Sequence, residues 1–410
     1  MNLPKLRFKG FKDEWKSEEL SSLVTYTKGF AFKSLDYKNT GYRIIRVSDL
    51  LKESINKTNN KIYIDKSQAE AFRKYQLQPG EIIVTTVGSK PELINSAVGR
   101  TIYYNSSEKE FLNQNLIKLN IKDGLNSYFI YQNTKKERYM NHIDNIQRGN
   151  ANQSNITVKE LLEYKVSIPT LEEQSKVAYF FEALDNKIQL QQEKINLLEE
   201  QKKGYMQKIF KQKIRFKDEN GEEYSEWKTL FVSDILNQHL REIEKPNQPY
   251  TRLGIRSHAK GTFHELVKNP KDVSMDKLYV VRAGDFIINI TFAWEQALAI
   301  ADKLDDGKLV SHRFPTYRFK DGHYSGFYKY YFTTKYFKYC LGNASPGGAG
   351  RNRVLNKKDF MKINISVPQY EEQLKIANFL FEFDEKIQIE QQKLEALQEQ
   401  KKGFMQQMFI

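Results

Sequence analysis

Apolar residues recur at alternating steps of three and four over two stretches of about forty residues each. In the first they fall at Val177, Phe181, Leu184, Ile188, Ile195, Leu198, Tyr205 and Ile209, and in the second at Ile376, Leu380, Phe383, Ile387, Leu394, Leu397, Phe404 and Met408. This is a heptad seam, and a helix that long spans roughly 60 Å. Two seam positions are polar in each stretch: Gln191 and Lys202, then Glu390 and Lys401. The stretches are one segment written twice, because residues 168–210 and 367–409 align without a gap at an offset of 367 − 168 = 199 residues. Two copies related by a pseudo-twofold axis place their helices antiparallel. A register that sets Ile195 against Leu397 and Ile188 against Phe404 also sets Lys202 beside Glu390 and Gln191 beside Lys401. A buried lysine without a carboxylate would be costly, so this register is the expected one. The alternative is that each seam pairs with a partner protein or a second copy of the chain.

Ahead of each seam the pattern shortens to strand-like runs: IYID, EIIVTTV and LIKLNI in the first half, DFIINIT and FPTYRF in the second. Gly80-Glu81 and Gly284-Asp285 feed a buried run in both halves, as a tight turn would. Aromatic-rich helical runs follow at Ser127–Tyr139 and Gly326–Leu341, then a polar loop, then a last strand in KVSIP or KINISVP. Pro169 and Pro368 suit a helix entrance, and Thr170 with Glu173 reads as a capping box that Gln369 does not match. Each half opens on an Arg-Phe pair and a tryptophan (Arg7, Phe8, Trp15; Arg215, Phe216, Trp227), so the order of elements is cyclic. The expected fold is α+β, two tandem repeats, each a mixed α/β domain followed by a long helix, with the two helices forming an antiparallel coiled coil. The boundaries are 1–167 and 213–366 for the domains, 168–212 and 367–410 for the helices.

Charge narrows the partners. The chain has 410 residues, with 65 Lys and Arg against 51 Asp and Glu, a formal charge of +14. Such an excess favours a polyanion, nucleic acid before a membrane surface. A single cysteine, Cys340, excludes an intramolecular disulfide, no run approaches a membrane-spanning length, and the opening residues lack an apolar signal core. The expectation is a protein of the reducing cytoplasm.

Catalytic constellations are missing. The sequence has no His/Cys cluster at zinc spacing, no phosphate-binding loop of the GxxxxGK[ST] type and no GxGxxG after a strand. The polar runs beside the strands carry instead the side chains that grip bases and phosphates. In the first half these are Lys33, Arg43, Arg46, Thr85, Thr86, Ser89 and Lys90, then Arg148, Asn150, Asn152 and Gln153. In the second they are Arg252, Arg256, Ser257, His258 and Lys260, then Asn289, Thr291 and Trp294, then Arg351, Asn352 and Arg353. Arginine grips guanine and Asn or Gln grips adenine bidentately, while Lys and Ser suit phosphates. Each such residue taken alone is as readily a solvated loop side chain.

The repeated IP-x-x-EEQ-x-K lead into a helix that closes in EEQKKGYMQ or QEQKKGFMQ resembles the specificity subunit of type I restriction–modification systems, over essentially the whole chain. The resemblance implies two target-recognition domains reading a bipartite, asymmetric double-stranded DNA target. It implies no catalysis by this chain and no cofactor or metal on it. Two methyltransferase subunits would carry S-adenosylmethionine, and restriction subunits joined through them would use ATP and Mg. A self-sufficient nuclease or methyltransferase would need a tetrapeptide such as NPPF or DPPY or a carboxylate–lysine cluster, and neither is present. A coiled-coil scaffold without a DNA role leaves the charge and the paired dissimilar domains unexplained.

Overall fold

A computed structural model describes residues 3–89, 98–150, 153–347 and 353–410. They form two compact units, one built from the chain up to Gln192 with Gln392–Ile410, the other from Glu193–Gln391. The long helices are Leu171–Phe210 and Tyr370–Met408, so each unit takes the start of one and the end of the other.

Both units carry the same four-stranded antiparallel sheet. Its order is Val24–Lys28, Leu116–Ile121, Ile82–Thr85, Thr101–Tyr103 in the first unit and Leu236–Gln238, Thr316–Phe319, Phe286–Ile288, Leu298–Ile300 in the second. The central strands are apolar because both faces are covered: Ile82, Ile83 and Val84, like Phe286, Ile287 and Ile288, are fully buried. Gly80 (φ 91°) and Gly284 (φ 86°) supply the left-handed turn before each of them. The carboxylate that follows accepts a turn hydrogen bond, from Gln78 N to Glu81 and from Arg282 N to Asp285. Each also holds a cation, Lys118 at 2.8 Å and Arg241 at 2.6 Å. A second sheet is built on a parallel contact, Tyr42–Ile45 with Glu110–Leu112, and Tyr250–Ile255 with Leu309–Val310. It has three strands in the first unit and five in the second.

The expected single helical runs are each broken in two, Ser127–Asn133 and Glu137–Ile146, then Ser325–Tyr331 and Lys335–Asn343. A threonine makes the break: the Thr134 and Thr333 hydroxyls bond back to the carbonyls of Tyr131 and Tyr330. The last strand of each domain pairs with one near its start, Lys165–Ile168 with Lys16–Glu19 and Asn364–Val367 with Lys228–Phe231.

The cyclic order has a physical counterpart. In the first unit the chain's last residues pack on its first, with Phe409 against Trp15, Phe129 and Phe181, and Leu6 N donating to Gln407 O. In the second unit Phe210, the repeat equivalent of Phe409, packs against Phe327 and Tyr331, and Trp227 against Phe327. The Glu173 carboxylate is engaged by Arg7 at 2.6 and 2.7 Å, and Glu372 by Arg215 in the same way. The capping-box reading of Glu173 is thereby corrected, since its oxygens hold the segment that opens the domain.

Within each unit the two helix portions run antiparallel. In the second, Tyr205 meets Phe379 and Phe383, Lys202 bonds Asp384 at 2.5 Å and Lys194 bonds Glu390 at 3.0 Å. In the first, Phe180 meets Phe404 and Lys401 bonds Asp185 at 2.6 Å. The expected register is corrected. Lys202 and Lys401 each find a carboxylate six residues from the expected partner (390 − 384, 191 − 185), and Glu390 finds a lysine eight away (202 − 194). Those offsets bracket one heptad, which keeps seam positions facing seam positions and changes which of them meet. Cysteines at 202 and 384 should cross-link efficiently under mild oxidation, and cysteines at 202 and 390 poorly; the reverse ranking would restore the other register.

Candidate nucleic-acid interface

In each unit three loops meet where the central strand ends. In the first, Thr86 donates through N and Oγ1 to Asn115 O at 3.0 Å, and Ile156 N donates to Thr86 O at 3.0 Å. In the second, Ile290 N donates to Arg313 O at 3.0 Å and Leu355 N to Ile290 O at 2.8 Å. The scaffold is the same and the loops it carries are not. The first unit adds a small sheet, Val87–Gly88 with Gln153–Asn155 and then Arg148–Asn150, which joins the TTVGS and RGN/Q stretches. The second adds the loop 256–261, tied to the turn Ala293–Glu295 by Ser257 Oγ to Glu295 Oε2 at 2.7 Å and His258 N to Glu295 O at 2.6 Å.

Several expected DNA-contacting residues are committed inside the fold. Arg43 is buried, donates to Asn56 O at 2.6 Å and lies between Asp49 and Glu110. Arg46 grips the buried Asp49 with two nitrogens, at 3.0 and 2.9 Å, and that hydrogen bonding holds its guanidinium above the ordinary arginine range. Both fasten the 46–61 connection to its sheet. Thr85 and Thr86 are buried, and the buried Asn289 accepts from Thr291 N to shape its own loop. Arg353 donates to the carbonyls of Ser345 and Gly342 and lies over the Trp294 ring at 5.4 Å, so it closes the end of helix Lys335–Asn343.

The exposed ones remain available. Lys33 is exposed, with its backbone N bonded to Asp36, and Arg148 is exposed but shares its charge with Glu160. Gln153 is exposed on its strand, Ser89 is half-buried, and Arg252 is exposed and paired with Glu265. Arg256, His258 and Lys260 are exposed, whereas Ser257, Thr291 and Trp294 are half-buried. Asn150 ends the strand Arg148–Asn150, and Lys90, Asn152, Arg351 and Asn352 lie outside the described residues.

Three residues not singled out from the sequence belong to the site. Asn115 and Arg313 sit in the polar interval just before a buried strand, a signal the sequence carries in NQN and SHR. Lys135 reaches Thr101 O at 2.6 Å beside the first unit's strand end, and burial pulls its ammonium down to about 8, so its charge is lost in mildly alkaline solution. Among the described residues no group of three His, Cys, Asp or Glu could hold a metal ion, and no helix is long and apolar enough to cross a membrane.

The comparisons agree with this architecture. The sequence model of the type I restriction modification DNA specificity domain matches residues 12–200 and 224–399. The provisionally assigned MjaX type I restriction enzyme specificity subunit of Methanocaldococcus jannaschii is 24% identical over 416 residues, covering 98% of this chain and 95% of that protein. The EcoBI specificity subunit of Escherichia coli is 30% identical over 174 residues, 40% of this chain and 31% of that one. In fold, the chain is similar to the crystal structure of the type I restriction–modification S subunit from M. genitalium, with a TM-score of 0.59 at 16% identity, covering 100% of this chain and 99% of that one. With the family domain matched twice, once in each half, this chain belongs to the type I restriction–modification DNA specificity family.

Proposed function

We propose that each unit reads one half of a bipartite, asymmetric DNA target, and that the chain holds two methyltransferase subunits and, through them, restriction subunits. The observation that carries this reading is the repeated three-loop edge: one hydrogen-bonded scaffold in both units, bearing unlike loops. Phosphates take the lysines and exposed arginines of such loops, and bases take the Asn, Gln and Arg side chains. The helices offer matching surfaces for two copies of one partner, because Leu190 and its repeat equivalent Ile389 are 65% and 50% exposed. The chain supplies no chemistry in this scheme. S-adenosylmethionine belongs to the methyltransferase partner, and ATP and Mg to the restriction partner.

Single-molecule sequencing of modified adenines in DNA from cells with and without the protein tests this. The expected result is a two-part motif, with an unread gap, modified only where the protein is present. Identical modification in both cell types, or one uninterrupted motif, would overturn it.

A further inference from the structure

Two loops of the second unit hold left-handed backbones at residues that bear a Cβ. His258 (φ 60°) and Ala259 (φ 51°) lie between the strands Tyr250–Ile255 and Thr262–Val267, and Gln296 (φ 56°) follows the turn Ala293–Glu295. Among the described residues only Gln212 shares that property. Such conformations persist where the surroundings hold them, and they gather at recognition sites. Here the loops hold one another. His258 N and Ala259 N donate to the carbonyls of Glu295 and Gln296, Ser257 bonds the Glu295 carboxylate, and the buried Gln296 side chain donates to Phe332 O at 3.0 Å.

This rigid pair presents an exposed apolar ring on one loop and cations on the other. Phe292, the residue before the turn, is 44% exposed, while Trp294 beside it is half-buried under Arg353. Arg256, His258 and Lys260 are exposed on the facing loop, and the Arg256 guanidinium is fixed by Thr262 O and the Phe263 ring. An isolated exposed phenylalanine is ordinary. A phenylalanine on a preorganised loop, with cations on the loop bonded to it, suits a groove whose walls are phosphates and whose floor offers an apolar group. In the major groove that group is the C5-methyl of thymine.

We propose that Phe292 is a specificity-determining residue of the second unit, packing on the C5-methyl of a thymine in that unit's half of the target while Arg256 and Lys260 hold phosphates. The proposal rests on the DNA-reading function above. Full-length chain, purified with whatever subunits accompany it, is taken through selection on random-sequence duplexes. Binding is then measured on the selected duplex and on copies in which single thymines become deoxyuridine. Losing the methyl of one thymine in this unit's half should weaken the wild-type protein about fourfold, the worth of one buried carbon. Phe292→Ala should bind the two copies alike, while its selection at the other half stays unchanged and shows the variant folded. An unchanged thymine-to-uridine ratio in Phe292→Ala overturns the proposal, as does insensitivity of every thymine in wild type. Failure of the underlying reading looks different, since wild type would then enrich no sequence.

Discussion

A chimera that takes residues 16–168 from another member of the family should direct its methyltransferase partner to a DNA target changed in one half and unchanged in the other. The boundaries come from the pairing of Lys16–Glu19 with Lys165–Ile168, which closes the recognition domain at both ends. A junction near residue 150 would divide the hairpin of Arg148–Asn150 with Gln153–Asn155 and leave Lys16–Glu19 without its partner strand. Starting at 16 keeps Arg7 and Trp15, which belong with Glu173 and the end of the second helix. Each wrong base pair costs about 1–3 kcal/mol and such costs add for separated positions, so a new half-target should shift binding by orders of magnitude. Sequencing of modified adenines reads the outcome. A change in both halves, or in neither, would mean that the units do not read independently.

The large-scale architecture was legible because it rests on periodicity. The repeat, the seam and the strand runs are statements about apolar spacing, and burial enforces them: Phe181, Ile195, Ile376 and Leu380 are all buried. The register was not legible for the same reason, since a heptad shift leaves seam positions facing seam positions. The deciding carboxylates, Asp185 and Asp384, are repeat equivalents that lie one position beyond Leu184 and Phe383, outside the seam, where apolar periodicity carries no mark of them. Both are also held from the domains, Asp185 by Tyr128 and Gln132, and Asp384 by Tyr330. The strand Lys16–Glu19 was invisible because its four residues, KSEE, are all exposed and carry no apolar alternation.

At the site, loops were easier to place than side chains. The runs TTVGS, RSHAK and INITFAW do border the strand ends, because turn chemistry and strand ends leave local marks. Whether an arginine in such a run faces outward depends on partners distant in sequence. Arg43 is claimed by Glu110, 67 residues away (110 − 43), and Arg353 by carbonyls eight and eleven residues back. Position alone does not separate them from Arg256.

Replacing Glu372 by alanine should cost about 3 kcal/mol, the lower end of the range for breaking a buried pair, because Arg215 keeps some access to water. The Glu372 carboxylate is fully buried and takes two nitrogens of Arg215 and the indole N–H of Trp227, at 2.7, 3.3 and 3.1 Å. Alanine would leave a guanidinium and an indole donor without their acceptor at the start of the second helix. A loss of that size lowers the unfolding midpoint of a domain this large by roughly 10 °C, which calorimetry reads. Glu173→Ala should act likewise in the first unit, where Arg7 has the same partner. Glu372→Gln keeps an acceptor for the indole and should lose less. Lys277→Ala, which removes an exposed pair with Glu242, should leave the midpoint where it is. If Glu372→Ala were as mild as Lys277→Ala, the repeated Arg–Glu contact would not be what fastens the opening segment to the long helix. The aromatic packing of Phe216 on Phe379 and of Trp227 on Phe327 would then have to carry that junction alone.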